Sequence, residues 1–284
     1  MKKADDLFKE NIREILENGC WDENPRPRYE SDGEPAHSVY ITQVFEKYDL
    51  SKGEMPLTSL RKIAIKNGIN EIRWIYQDQT SNLSRLEGEY GIMWWREWEV
   101  GDGEEKDDTI GLRYGATVDR YDLMNKLLTN LVKDPYSRRH IISLWQEDNF
   151  SETDGLLPCA FLTLFSVRKV NGIMFLDMTL IQRSSDYLVA GHINKMQYVA
   201  FMMMVAKHCG YQVGVFSHFV QNLHVYSRHL EQAKELIKRT PSDMQTTFKL
   251  NVPDGTNFYE ITVDDFELID YKPSIPQLKF ELGI

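Results

Sequence analysis

The chain has 284 residues, 42% of them hydrophobic and 27% charged, which suits a soluble globular protein able to bury a full core. Its formal net charge of −10 argues against non-specific nucleic-acid binding, which depends on neutralising phosphates, while leaving room for one local basic pocket. The amino terminus lacks the apolar run of a signal peptide, no window is long and apolar enough for a membrane span, and three cysteines without metal-type spacing (Cys20, Cys159, Cys209) fit neither a disulfide framework nor a zinc site. A reduced, cytoplasmic protein is expected.

In chain order, Leu7 to Leu16 recur at helical spacing and stop at Asn18-Gly19, a good carboxyl-terminal cap. Residues 24–35, rich in proline, arginine and acids, read as an exposed loop, and His37 to Phe45 as a strand. Leu57 to Tyr76 is expected to be helical, with Glu71 on its surface by spacing. Gly101 to Asp108 reads as a solvated acidic loop. Tyr121 to Val132 is an amphipathic helix stopped by Asp134-Pro135, Ile141 to Trp145 a buried strand, and Asp148 to Gly155 a polar loop.

Two apolar runs, Cys159 to Val170 and Ile173 to Ser184, flank Asn171-Gly172, the strongest short-range hairpin signal. With unbroken pairing, Cys159 stands about opposite residue 184. Gln197 to Cys209 is apolar nearly all round and reads as a buried helix closed by Gly210. His224 to Lys238 reads as an amphipathic helix, and Asn257 to Thr262 and Phe266 to Tyr271 as strands. No repeat or convincing linker divides the chain, so one mixed α and β domain over 1–284 is the simplest organisation.

Several side chains could carry chemistry. A lone cysteine is more often an inert core residue, and Cys209, inside the apolar helix, fits that description. Cys159 differs because Arg183 lies on the other arm of the expected hairpin, and a nearby cation favours a thiolate nucleophile. Arg26, Arg138 and Arg139 could be ordinary solvated charges, but guanidinium is also the fork that grips phosphate. Asn194 offers donor and acceptor together, matching the carbonyl and imide N–H of a uracil edge. His224 and Tyr226 could be half-buried packers. Trp94, Trp95 and Trp98 could be core or a stacking wall.

Taken in order, the segments EIRW, WREW, IGLRYG, DPYSRRHII, LPC, QRSSD with Asn194 beyond it, HVYSRH and FELIDYK with the final FELGI resemble the thymidylate synthase family from about Trp21 to the carboxyl terminus. The resemblance implies an α+β domain, a large mixed sheet flanked by helices, with sheets packed back to back in a homodimer. It implies reductive methylation of dUMP to dTMP by methylenetetrahydrofolate, without a metal. The Cys159 thiolate would add to carbon 6 of the pyrimidine, and carbon 5 would capture the one-carbon unit. Loss of proton and folate would give an exocyclic methylene, which hydride then reduces.

Carried over by position, Arg26, Arg183 and Ser184 would hold the phosphate, with Ser185 and Asp186 beside it. Arg138 and Arg139 would reach it from the other subunit. Asn194 would read the base, and His224 and Tyr226 would bind the sugar hydroxyl. Glu71 would organise water and proton transfer, and Tyr114 would sit beside the cysteine. Trp95, Trp98, Asp186 and Arg61 would lie on the folate side, under a closing tail that ends at Ile284.

The chain departs from the family pattern at Ala190-Gly191-His192-Ile193 before the asparagine, and at Trp94, Arg61, Ala64, Asn222 and the Gly-Ile ending. These departures fall mainly on the folate side and keep a dUMP hydroxymethylase open as an alternative; Asn194 argues against the cytosine version. A catalytically idle nucleotide-binding or RNA-binding protein is the other alternative, and the retained thiol beside a guanidinium speaks against it.

Overall fold

The computed structural model describes residues 2–101 and 106–284. Its first helix, α1 (Lys2–Asn18), ends at Gly19 as its spacing predicts and buries Phe8, Ile12 and Ile15. Then come β1 (Cys20–Trp21) and β2 (Ser38–Asp49), which ends four residues beyond its apolar run. The helix expected over 57–76 is shorter: α2 is Ile65–Tyr76. The preceding turn is held instead by buried Asp5, which accepts from the Thr58 hydroxyl at 2.6 Å and the Ser59 backbone N–H at 2.8 Å. Local side-chain bonds of this kind compete with helix.

Helices α3 (Leu83–Tyr90), α4 (Gly115–Arg120) and α5 (Leu123–Lys133) follow. Of the acidic loop expected over 101–108, residues 102–105 lie outside the described residues. Strand β3 (Ile141–Ser143) is a sheet edge that buries Ile142, as expected, but leaves Ile141 exposed. The polar loop expected over 148–155 contains α6 (Glu147–Glu152), where the buried Arg113 guanidinium donates to Asn149 O at 3.0 Å and Thr153 O at 2.7 Å.

The Asn171-Gly172 hairpin forms as expected from β4 (Ala160–Val170) and β5 (Ile173–Gln182), both turn residues having positive φ. A bulge between Ala160 and Leu162 shifts the register by one, so Arg183 rather than residue 184 faces Cys159; its N–H donates to Cys159 O at 3.0 Å. After β6 (Ser185–Asp186), α7 (Gly191–Cys209) starts six residues before the apolar run and ends on left-handed Gly210.

Strand β7 (Gln212–Tyr226) takes in His224 to Tyr226, the expected start of a helix. The helix, α8, covers only Leu230–Lys238. Near the end, β8 (Thr247–Leu250) pairs with β9 (Phe266–Ile269), and the strand expected over 257–262 is instead a 3-10 turn at Phe258–Glu260.

Among the described residues the main sheet runs β1-β2-β7-β5-β4-β3, with β6 on the end of β7; only the β5–β7 and β6–β7 pairings are parallel. One face carries the row Glu46–His218–Leu180–Thr163–Ile142, covered by α7, on which α2 packs in turn. The opposite face carries Phe45–Phe219–Ile181–Leu162, none of them buried and Phe45 56% exposed. A mixed sheet flanked by helices is therefore what the chain forms.

Candidate active site

The site opens where β4, β5 and β7 end beside the amino-terminal turns of α7. A cavity of about 640 Å³ is lined by Arg26, Cys159, Arg183, Ser184, Ser185, Asp186, Asn194, Asn222, His224 and Tyr226, with Leu282, Gly283 and Ile284 at its rim. An adjoining, more apolar chamber of about 270 Å³ is lined by Glu71, Ile72, Trp94, Trp95, Trp98, Tyr114, Gln182, Gln197 and Tyr198. Cys159, Leu156, Trp98, Asn194 and Leu282 border both, so the sulfur stands at the junction.

Cys159 is fixed from two sides. Its N–H donates to the Tyr114 hydroxyl at 3.1 Å. The Arg183 guanidinium holds the preceding backbone, donating to Pro158 O at 3.0 Å and Leu157 O at 2.6 Å. Arg183 and exposed Arg26 both favour the thiolate, yet burial outweighs them and holds the thiol above its ordinary range. The neighbouring cation thus pulls toward the thiolate, as expected, against the opposing effect of burial. Burial alone pushes the Cys209 thiol up to about 12.

Tyr114 sits at φ 46°, ψ −108°, and its neighbour Gly115 packs so closely on Thr80 that a Cβ would meet Thr80 O at 2.2 Å. This constrained turn aims the hydroxyl at the cysteine. On β7, Asn222, His224 and Tyr226 alternate onto the cavity face, a strand periodicity rather than the expected helix entry. His224 bonds Asn222 Oδ1 at 3.1 Å, and burial lowers it to about 4, so its imidazole is neutral. The Ser185 hydroxyl is buried with no hydrogen-bond partner among the described residues. Asp186 is raised to about 7 by burial, against backbone bonds from Val189 and Leu188.

In the second chamber Glu71 is buried, not on a helix surface as spacing suggests. Burial raises its pKa, opposed first by the Trp94 indole N–H, which donates at 2.6 Å. The tryptophans belong to core and wall at once: Trp95 packs edge-on to Trp98 and Tyr114 while lining the chamber.

Three expected residues stand apart. Arg61 is buried behind the wall, its guanidinium bonded to Leu188 O and Val189 O and stacked over Phe280. Arg138 and Arg139 are exposed on the loop between α5 and β3, outside both chambers. His192 is a buried imidazole bonded to Pro56 O at 3.0 Å and packed on Phe8 and Tyr187, with its pKa held well below the ordinary value by burial. Gln182, Gln197 and Tyr198 are wall residues that motif reading passed over. Gln182 opens the Gln-Arg-Ser-Ser-Asp run, and Gln197 follows Asn194 by one helical turn.

The tail is seated. Ile284 and Arg28 exchange two backbone bonds of 2.6 and 2.8 Å, and Glu281 pairs with Arg228 at 3.0 Å. Gly283 lies so close to Tyr226 that a Cβ would meet its ring at 2.8 Å.

A profile of the family described as thymidylate synthase matches residues 6–284. Thymidylate synthase of Streptococcus suis is 56% identical over 284 residues, and that of Lactococcus lactis subsp. lactis 57% over 285, each match covering all of both chains. The solved thermostable thymidylate synthase A of Bacillus subtilis superposes with a TM-score of 0.88 at 30% identity, over 99% of each chain. Fold, length and sequence agree over the same residues: the chain belongs to the thymidylate synthase family.

Proposed function

We propose that this chain acts as one catalytic domain over residues 1–284 and methylates dUMP to dTMP, with Cys159 as the attacking nucleophile. The observation that carries this reading is the position of the sulfur, between a cavity with two guanidinium groups and an apolar, tryptophan-lined chamber. Arg26, Arg183, Ser184 and Ser185 hold the phosphate; a dianion arriving there adds a further partner to the cations that already act on the thiol. Cys159 adds to carbon 6 of the pyrimidine, which makes carbon 5 the nucleophile. His224 and Tyr226 take the sugar hydroxyl, and Asn194 reads the base edge.

The second chamber suits a flat heterocycle by its indole and aliphatic lining. Methylenetetrahydrofolate supplies the one-carbon unit and the hydride. Trp95, Trp98 and Asp186 line its side, and Arg61 shapes that wall through the carbonyls of Leu188 and Val189. Glu71, with its raised pKa, handles water and protons at the pyrimidine. The seated tail excludes water from the reacting carbon. A second copy of the chain would bring Arg138 and Arg139 to the phosphate, which makes the working unit a cytoplasmic homodimer.

Product analysis from dUMP and methylenetetrahydrofolate tests the proposal. The expected products are dTMP and dihydrofolate in equal amounts; hydroxymethylated nucleotide without dihydrofolate would overturn it. Cys159→Ala is expected to abolish turnover while still binding dUMP, and substantial residual turnover would contradict the covalent route.

A further inference from the structure

Behind the wall of the nucleotide cavity, polar side chains run in one line from the central strand to Glu71. His218 Nε2 meets Gln182 Oε1 at 2.6 Å, Gln182 Nε2 donates to Asn194 Oδ1 at 3.3 Å, and Asn194 Nδ2 donates to Gln197 Oε1 at 2.9 Å. Gln197 lines the second chamber together with Glu71 and favours the charged form of that carboxyl.

The amides set its direction. Asn194 gives its NH2 to the Gln197 oxygen, which leaves its own oxygen for the NH2 of Gln182. The Gln182 oxygen then faces His218, which must donate. Each link dictates the next, because an amide reversed at one position leaves two oxygens or two NH2 groups face to face.

We infer that His218 is a positioning residue for base selection: as an Nε2–H donor it locks, through Gln182, the orientation in which Asn194 meets the pyrimidine. The inference rests on the proposed dUMP reading. One lone pair of Asn194 Oδ1 and one hydrogen of Nδ2 remain for the ligand. In that order they match N3–H and O4 of a uracil; reversed, they match N3 and the 4-amino group of a cytosine. An unlocked line would therefore blur the two.

The surroundings of His218 support a fixed neutral donor. Glu46 lies directly across from it in the β2–β7 register. That carboxylate is already engaged by Lys195 at 2.7 Å, Tyr48 at 2.6 Å and Tyr187 and Asn11 at 3.1 Å each. Burial and the Lys195 ammonium hold the imidazole down at about 3, against the opposing pull of Glu46.

Two measurements on the full-length enzyme decide the matter. Nitrogen-15 NMR of histidine-labelled wild-type protein at neutral pH, with His218 assigned by through-bond correlation from its own backbone amide, should show a protonated Nε2. A pyridine-like Nε2 overturns the inference, whether or not any variant folds. Calorimetric titration of dUMP and dCMP should show that His218→Phe loses about tenfold or more of the preference for dUMP. A folded His218→Phe protein with wild-type preference also overturns it. Wild-type enzyme unable to make dTMP would instead sink the proposed function, while normal wild-type turnover with unchanged selectivity in the variant sinks only the role of His218.

Discussion

At the scale of single residues, Cys159 is set by a contest between burial and two guanidinium groups. Because burial wins in the free protein, alkylation by iodoacetamide should be slow at neutral pH and rise with pH above the ordinary thiol range. Arg183→Gln should move that profile to still higher pH; an unshifted profile would show that the guanidinium has no hold on the thiol. The pair of Lys195 and Glu46 is a second charged device, buried on both sides. Removing one partner of such a pair leaves an uncompensated charge, so Lys195→Met should cost about 3–5 kcal/mol in urea unfolding.

Glu46 also makes stability depend on acid. Its native pKa, about 2 against an ordinary 4.5, means that the unfolded chain binds more protons between those values. His218, about 3 against 6.5, acts in the same direction over its own window. The contribution of Glu46 is present above about pH 4.5 and lost as pH falls toward 2, and His218 erodes stability from about 6.5 downward. The urea midpoint should therefore fall between pH 7 and pH 4, less steeply in Lys195→Met.

At the scale of elements, the tail is the segment whose fit can be tested most directly. Gly283→Ala places a methyl against the Tyr226 ring, so the last residues should lift. The expected signs are lost hydrogen-exchange protection at the Ile284 N–H and roughly tenfold slower dTMP formation. Unchanged protection would mean that Tyr226 yields instead. Elements whose apolar spacing matched their surroundings were legible in the sequence: α1, the β4–β5 hairpin and the apolar length of α7. Strand β7 was obscured because His218, Asn222 and His224 interrupt its apolar face, and the helical run from Leu230 is continuous with His224 when only spacing is counted. The bulge at Phe161 could not be read either, since it moves a register by one without changing composition. Glu71 misled by spacing because the indole of Trp94, far along the chain, meets it in the interior. The motif residues around the cysteine were legible by resemblance, whereas Gln182 and Gln197 acquire meaning only through their partners.

At the scale of the whole molecule, the half-open sheet face and the exposed Arg138 and Arg139 bear on the same question. If those arginines serve a partner's phosphate site, neither Cys159→Ala nor the double variant Arg138→Ala/Arg139→Ala will turn over alone. Mixing them under conditions of subunit exchange should restore roughly a quarter of wild-type activity, because half the dimers are mixed and each has one intact site. No recovery would place the phosphate grip within one chain. The row Phe45–Phe219–Ile181–Leu162 adds a thermodynamic consequence. A chain that leaves such a stripe wet when alone gains stability by mass action whenever a second copy covers it. Dilution alone should then lower the melting temperature, by an amount set by subunit concentration rather than by any change in the residues themselves.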